Sequence, residues 1–181
     1  MRALLVYESM YGNTHAVASA IGDGLRAAGL EVDVVPVDRA GHDLVSAADL
    51  VVVGGPTHGH GMSRAGTREA AIADARKVDS PLVLDPDAEG PGLREWLDAM
   101  PALDAKAAAF DTRVDLPAVL TGRASKGIGR QLHHHGLTLV ADPESFLVTT
   151  HNELESGEAT RAQAWGAQLA ARLAAASDQS A

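Results

Sequence analysis

The sequence predicts an α/β domain in which helices cover both faces of a parallel sheet. Short aliphatic runs alternate with segments in which apolar residues recur every three or four positions. The aliphatic runs are continuous, as expected for strands that are buried on both faces. A chain of 181 residues, of which 46% are hydrophobic, is long and apolar enough for one domain with a substantial core.

The first half of the chain follows this alternation closely. Apolar residues at Val17, Ile21 and Leu25 share one helix face, and Gly29 is placed to end that helix. The third aliphatic run stops at a Gly-Gly-Pro sequence that is typical of a turn. Strands are predicted at 4–7, 32–37 and 50–53.

The second half predicts more helices and a weaker set of strands. Phe110 is expected to be the last residue of a short, alanine-rich strand and to point into the sheet. Asp142-Pro143 separates the two final strand candidates. Helices are predicted at 64–78, 93–100, 120–135 and around Trp165, Leu169 and Leu173, and strands at 106–110, 137–140 and 146–148.

We predict a single domain over 1–176, followed by a frayed tail at 177–181. Within it, 62–91 has the character of an inserted helix and loop. The acidic stretch 85–89 is expected to be a solvated loop, with contact to a basic redox partner as the alternative.

The charge balance argues against two classes of partner. The chain has 24 acidic and 15 basic residues, for a net charge of −9, so it repels nucleic acid and anionic lipid. No apolar run is long enough for a membrane span. The absence of cysteine excludes disulfides, thiolate metal sites and cysteine nucleophiles, and a cytoplasmic location is expected.

Ligands of such sheets bind outside the carboxyl ends of the strands, which directs attention to the loops at 8–14, 55–63 and 111–117. The first loop leads directly into a helix and combines hydroxyls, an amide and a flexible glycine without Lys or Arg. Neutral donors at a helix start favour a monophosphate. The alternative is an ordinary turn with an Asn or Thr N-cap. The candidate contacts are Ser9, Met10, Tyr11, Gly12, Asn13 and Thr14.

The second loop is rich in glycine and histidine, which suggests backbone close to a flat ligand. The alternative is that its glycines only serve sharp turns. The third loop offers the candidates Asp111, Thr112 and Arg113. The second-loop candidates are Pro56, Thr57, His58, Gly59, His60 and Gly61.

These loops resemble those of a known family. The Ser9–Thr14 segment, which ends in Gly-Asn-Thr, is similar to the phosphate loop of flavodoxins, and its Ser-Met-Tyr-Gly form resembles flavodoxin-like NAD(P)H:quinone oxidoreductases. Gly54-x-Pro-Thr followed by a later Gly and Met is also similar to that branch. The resemblance implies a flavodoxin-like three-layer sandwich with a five-stranded sheet in the order 2-1-3-4-5. It also implies FMN across the strand ends.

One departure from the family concerns the flavin ring, which flavodoxins commonly hold between aromatic side chains. Here the second loop offers His58, His60 and Met62, and the third has no Tyr, so Tyr11 is the one aromatic residue in a candidate loop. If Arg113 approaches the flavin edge, its charge stabilises the reduced flavin and raises its potential. The alternative for Arg113 is a solvated loop charge.

Three functions follow from these features. The first is an FMN-binding electron-transfer protein that works with redox partner proteins, and the second is an NAD(P)H:quinone oxidoreductase. The third is a non-redox binding module of the same fold. We predict no catalytic residue and no metal site: consecutive histidines at 133–135 point in different directions from a helix end and do not chelate one ion. The oligomeric state is not predicted.

Overall fold

The computed structural model describes residues 1–178, which form a seven-stranded sheet with helices on both faces. The main strand order is β2-β1-β3-β5-β6, and β7 also pairs with β5. These neighbours are parallel, whereas β4 is antiparallel to β3. The strands are β1 (Arg2–Tyr7), β2 (Glu31–Pro36), β3 (Leu50–His58), β4 (Gly61–Met62), β5 (Lys106–Val114), β6 (Thr138–Leu139) and β7 (Glu144–Val148).

The predicted order 2-1-3-4-5 is confirmed, with β6 and β7 sharing the fifth position. β6 pairs with the start of β5, at Lys106 and Ala107, and β7 pairs with its end, from Phe110 to Val114. Pro143 lies between the two short strands, and a residue without an N–H cannot donate to the ladder there.

Helices follow the predicted alternation, with differences at their ends. The predicted helix at 120–135 is two helices, because the chain has left-handed backbone at Gly122, with φ 73°. The helix predicted at 64–78 is shorter, and α2 was not predicted. The helices are α1 (Asn13–Ala27), α2 (His42–Ser46), α3 (Ala65–Ala75), α4 (Leu93–Asp98), α5 (Ala118–Thr121), α6 (Ala124–His134) and α7 (Glu158–Asp178).

Alternate residues of the central strands feed two separate cores. Leu5, Val52 and Phe110 pack with α1 and α7 on one face, through side chains such as Ile21 and Leu169. On the other face, residues such as Val6 and Val53 pack with α4 and α6. A sheet buried on both faces needs the continuous aliphatic strands seen in the sequence.

Two central strands run further than predicted. Gly54, Gly55 and Pro56 continue β3 by pairing with Phe110, Asp111 and Thr112 of β5. The predicted turn at 54–56 and the first four residues of the predicted loop at 111–117 are strand instead, because parallel pairing extends both strands. Phe110 is fully buried as predicted, but it lies in mid-strand. A Cβ at Gly54 would lie 2.1 Å from the Phe110 ring, so glycine leaves room for that ring.

The segment between α3 and α4, residues 76–92, packs across the start of α1, and we call it the strap. The prediction of a solvated loop at 85–89 is wrong for two of its carboxylates. The Asp85 side chain is 1% exposed and lies 3.2 Å from His15 Nδ1. Asp87 accepts a hydrogen bond of 2.9 Å from the Tyr7 hydroxyl and pairs with Arg39 at 2.5 Å. Tyr7 also stacks on His15, with 4.5 Å between ring centres.

At the end of the chain, the predicted frayed tail begins inside α7, which includes residues 177 and 178. Residues 179–181 lie outside the described part of the chain. Within residues 1–178, no helix combines the length and the apolar character needed to cross a membrane.

Candidate functional site

The first candidate loop joins β1 to α1 and is largely buried. Gly12, with φ 89°, is the N-cap of α1, and its N–H donates to Ser9 Oγ over 3.1 Å. No side chain caps the helix and its first turn carries no acidic residue. The alternative of an Asn or Thr N-cap is therefore wrong. The strap places the Asp85 carboxylate beside this helix start, where it pairs with His15, whereas the cavity side of the helix N-terminus has no carboxylate.

A pair of hydroxyls connects this loop to the end of β5. Thr14 Oγ1 and Thr112 Oγ1 are 2.7 Å apart and both residues are buried. One hydroxyl donates to the other, so the second keeps a proton to donate elsewhere. The carboxyl ends of β1 and β5 thus place two small donors beside the α1 N-terminus.

A cavity of about 160 Å³, which we call the strand-end cavity, opens at this point. It brings together parts of all three predicted loops. The predicted residues that line it are Ser9, Met10, Tyr11, Asn13, Thr14, Pro56, Thr57, His58, Thr112 and Arg113.

The remaining predicted contacts lie outside the cavity lining. Asp111 is fully buried, and its Oδ2 accepts a 2.7 Å hydrogen bond from the N–H of Ser125, so it holds the start of α6. Gly12 belongs to the first loop, where its N–H binds Ser9 Oγ, but it does not line the cavity. Gly59, His60 and Gly61 line a neighbouring pocket.

Three lining residues were not predicted from the sequence: Val114, Val148 and Asn152. Asn13 Nδ2 donates to the Asn152 carbonyl over 2.9 Å, which connects α1 to the loop after β7. Asn152 has φ 63°, a conformation that asparagine tolerates better than most residues. An Asn within a polar loop after the last strand was the available signal.

Arg113 supplies the positive charge of the cavity, and its lining contains no carboxylate. The guanidinium is half-buried, and its Nη1 donates to the carbonyls of Leu116 at 2.6 Å and Val114 at 3.3 Å. Its Nε is buried and has no hydrogen-bond partner among residues 1–178. The alternative of a fully solvated charge does not describe this side chain. A buried N–H without a partner is costly and points to a missing acceptor.

His58 and Tyr11 flank the cavity from the second and first loops. Burial lowers the pKa of His58, against the opposite effect of Glu8 and with a smaller lowering effect of Arg68, so its ring is neutral at neutral pH. The Tyr11 hydroxyl donates to the Ala71 carbonyl over 3.0 Å, and burial raises its pKa. Both residues therefore present uncharged rings.

A match to the flavodoxin family model covers residues 5–88, which include the first two loops. No curated protein matches the chain. A flavodoxin from the domain Archaea is similar in structure, with a TM-score of 0.66 and 22% identity over 96% of this chain and 99% of that chain. For oxidised flavodoxin 1 of Bacillus cereus the TM-score is 0.63, with 20% identity over 96% of this chain and 97% of that chain. For a flavodoxin, WrbA-like protein of Agrobacterium tumefaciens the TM-score is 0.59, with 20% identity over 95% of this chain and 96% of that chain.

The two kinds of similarity agree with the topology described above. The structural matches cover nearly the whole chain at low identity, so they establish the fold. The family model covers the segment that contains the second half of β1, the first loop and most of the strap. The chain therefore has the flavodoxin-like fold, and its residues 5–88 match the flavodoxin family.

Proposed function

We propose that this protein binds FMN in the strand-end cavity and transfers electrons between partner proteins. The observation that carries the proposal is the composition of that cavity. Ser9, Thr14 and Thr112 supply hydroxyls beside an uncapped helix N-terminus, and the lining has no carboxylate. Such a set suits a phosphate that is held by neutral donors.

Two features of the cavity fit a part of FMN, namely a donor without an acceptor and the size of the cavity. The buried Arg113 Nε lacks an acceptor among the described residues, and a ligand oxygen would supply one. The volume of about 160 Å³ is small compared with sites that enclose a whole drug-sized ligand. The cavity therefore suits the phosphate end, and the flat ring would lie across the open strand ends beside Pro56 and His58.

When bound, FMN supplies the electron-transfer chemistry, and the protein supplies binding and electrostatics. Ser9 and Thr14 hold the phosphate, and Tyr11 and His58 flank the ring as uncharged groups. The charge of Arg113 favours added negative charge on a nearby ligand, which raises its reduction potential. We propose a potential above that of low-potential flavodoxins, and a redox titration that finds one of the lowest values would contradict this.

The carrier role rests on charge and on the family. With a net charge of −9, the protein suits a transient, salt-sensitive interface with a basic reductase or acceptor. The cysteine-free sequence fits a reducing compartment such as the cytoplasm.

A second candidate is a stand-alone NAD(P)H:quinone oxidoreductase. The observation in its favour is the WrbA-like structural neighbour, together with α3 and the strap beside the second loop. A non-redox module remains the third candidate, because Tyr11 is the one aromatic residue in the cavity lining.

An electron-transfer assay with the FMN-loaded protein separates these candidates. A carrier is reduced by NADPH only when a flavodoxin reductase is added. The oxidoreductase oxidises NADH or NADPH with a quinone and without a reductase. A protein that binds no FMN overturns both roles and leaves the non-redox module.

A further inference from the structure

A second pocket adjoins the strand-end cavity and shares His58 with it. Its volume is about 290 Å³, and its floor is the glycine-rich turn between β3 and β4. Its walls carry Arg64, Thr67 and Arg94, and we call it the arginine pocket. Two guanidinium groups in one concave site are unexpected in a chain of net charge −9.

The Arg94 guanidinium is held in place by backbone carbonyls at the end of β4. Its Nη2 donates to the Met62 carbonyl over 3.2 Å and its Nε to the Ser63 carbonyl over 3.3 Å. These carbonyls orient the group without neutralising it, so its charge remains available. Such fixed orientation lowers the entropy cost of binding a ligand.

The positive charge of the pocket has no internal counterion. The ion pairs between described residues use other cations, such as Arg68 with Glu95 and Arg76 with Glu89. Neither Arg64 nor Arg94 has a carboxylate partner within residues 1–178. An anion that enters this pocket therefore displaces no existing ion pair.

Neutral donors complement the two arginines. Arg64 is the N-cap of α3, and the first turn of this eleven-residue helix has no acidic residue. Thr67 Oγ1 accepts a hydrogen bond from the Arg64 N–H and donates to the Arg64 carbonyl, each over 2.8 Å, so the neutral donors left for a ligand are the first N–H groups of the helix. Guanidinium groups and the first N–H groups of a helix together suit a ligand with several charged acceptor oxygens.

We propose that the arginine pocket is a second anion site that takes a phosphate-bearing ligand, distinct from the FMN phosphate site. The pocket contacts the strand-end cavity through His58, so this inference builds on the proposed function. A phosphate held there places the rest of its ligand beside the proposed flavin ring. Free phosphate, a nucleoside diphosphate and a nicotinamide dinucleotide share this chemistry.

Calorimetric titration at low salt, with inorganic phosphate, ADP and NADPH as probes, tests the proposal. We expect saturable binding of at least one probe, and the tightest probe identifies the source of the phosphate. Arg64→Gln, at an exposed position, is expected to weaken that probe about tenfold, and Arg64→Gln with Arg94→Gln more than that. Arg130→Gln is the matched control, since Arg130 is also exposed and has no carboxylate partner in the described part of the chain but lies on α6, and this variant should bind the probe within about twofold of the parent.

The proposal is overturned if no probe binds, or if Arg64→Gln and Arg130→Gln bind alike. It is also overturned if FMN competes with the tightest probe, because the two sites would then be one. The same titrations on protein without FMN keep the two proposals separate. Probe binding without FMN binding would reject the proposed function and retain this site.

Discussion

The strand-end cavity and the arginine pocket are adjacent, but they offer a ligand different kinds of donor. The first uses hydroxyls, backbone N–H groups and one half-buried arginine, and its key side chains, Ser9, Thr14 and Thr112, are buried. The second uses two arginines at a glycine-rich turn, and Arg64 is exposed. Buried neutral donors suit a ligand that stays, whereas exposed charges suit a ligand that exchanges and responds to salt.

The contacts that hold the first loop also differ from those that hold the second loop. The first loop is fixed by the strap: Met10 and Ala88 share a small apolar cluster, and the Asp85 N–H donates to the Met10 carbonyl over 2.8 Å. The second loop carries left-handed backbone at Gly59 and His60. Antiparallel pairing of β3 with β4 and a bridge from His60 to Gly122 hold this loop.

The largest effect is expected from removal of the buried hydroxyls. Ser9→Ala with Thr14→Ala deletes two donors to the proposed phosphate, at about 1.5 kcal/mol each, so FMN affinity should fall about a hundredfold. A fluorescence titration measures this. Ser156→Ala with Thr160→Ala, at exposed positions, is the control and should leave FMN affinity unchanged. Equal affinities of the two double variants would remove the phosphate assignment.

A pair of glycine substitutions contrasts the two loops. Gly12→Ala and Gly59→Ala both place a side chain at positive φ, 89° and 52°, at a cost of about 1–2 kcal/mol in stability. FMN affinity should fall only for Gly12→Ala, because Gly12 shapes the first loop and Gly59 lies outside the cavity lining. Denaturant unfolding and FMN titration measure the two effects. A similar loss of FMN affinity in Gly59→Ala would indicate that Gly59 contacts FMN, as the sequence predicted.

Substitutions in the strap are expected to have a smaller effect, on the free energy of unfolding. Asp87→Asn weakens the ion pair with Arg39 and the hydrogen bond from Tyr7, and we expect a loss of about 1 kcal/mol in the free energy of unfolding. Glu89→Gln removes an ion pair between two exposed side chains and should cost less than about 0.5 kcal/mol. Urea unfolding of both variants checks the order. If Glu89→Gln proves the more costly, the strap is not anchored through Asp87.

The smallest effect concerns the pH dependence of stability. Burial lowers the pKa of His58, so the unfolded chain takes up a proton at higher pH than the folded chain. His58 therefore makes stability fall as pH drops below its ordinary pKa of 6.5, until the folded pKa is reached. His58→Gln should flatten this part of the stability profile. His151→Gln, at an exposed position, is the control, and equal flattening in both variants would contradict the assignment.

Continuous aliphatic runs predicted the parallel sheet, and the resemblance to flavodoxins implied its strand order. The rule for strand ends pointed to the loops that supply most of the cavity lining. It did not predict that β3 and β5 continue through 54–58 and 111–114, because glycine and polar residues there remain in strands only through pairing with each other. The contacts of the buried Asp85 and Asp111 and of the partly buried Asp87 also depend on partners distant in sequence, such as Tyr7 and the Ser125 N–H.

The central claim is that the strand-end cavity holds the phosphate of FMN. Titration of flavin-free protein with FMN and with riboflavin, followed by flavin fluorescence, tests it most directly. The account predicts saturable one-to-one binding of FMN and at least about a hundredfold weaker binding of riboflavin, which lacks the phosphate. Absence of FMN binding, or equal affinity for riboflavin, would contradict it.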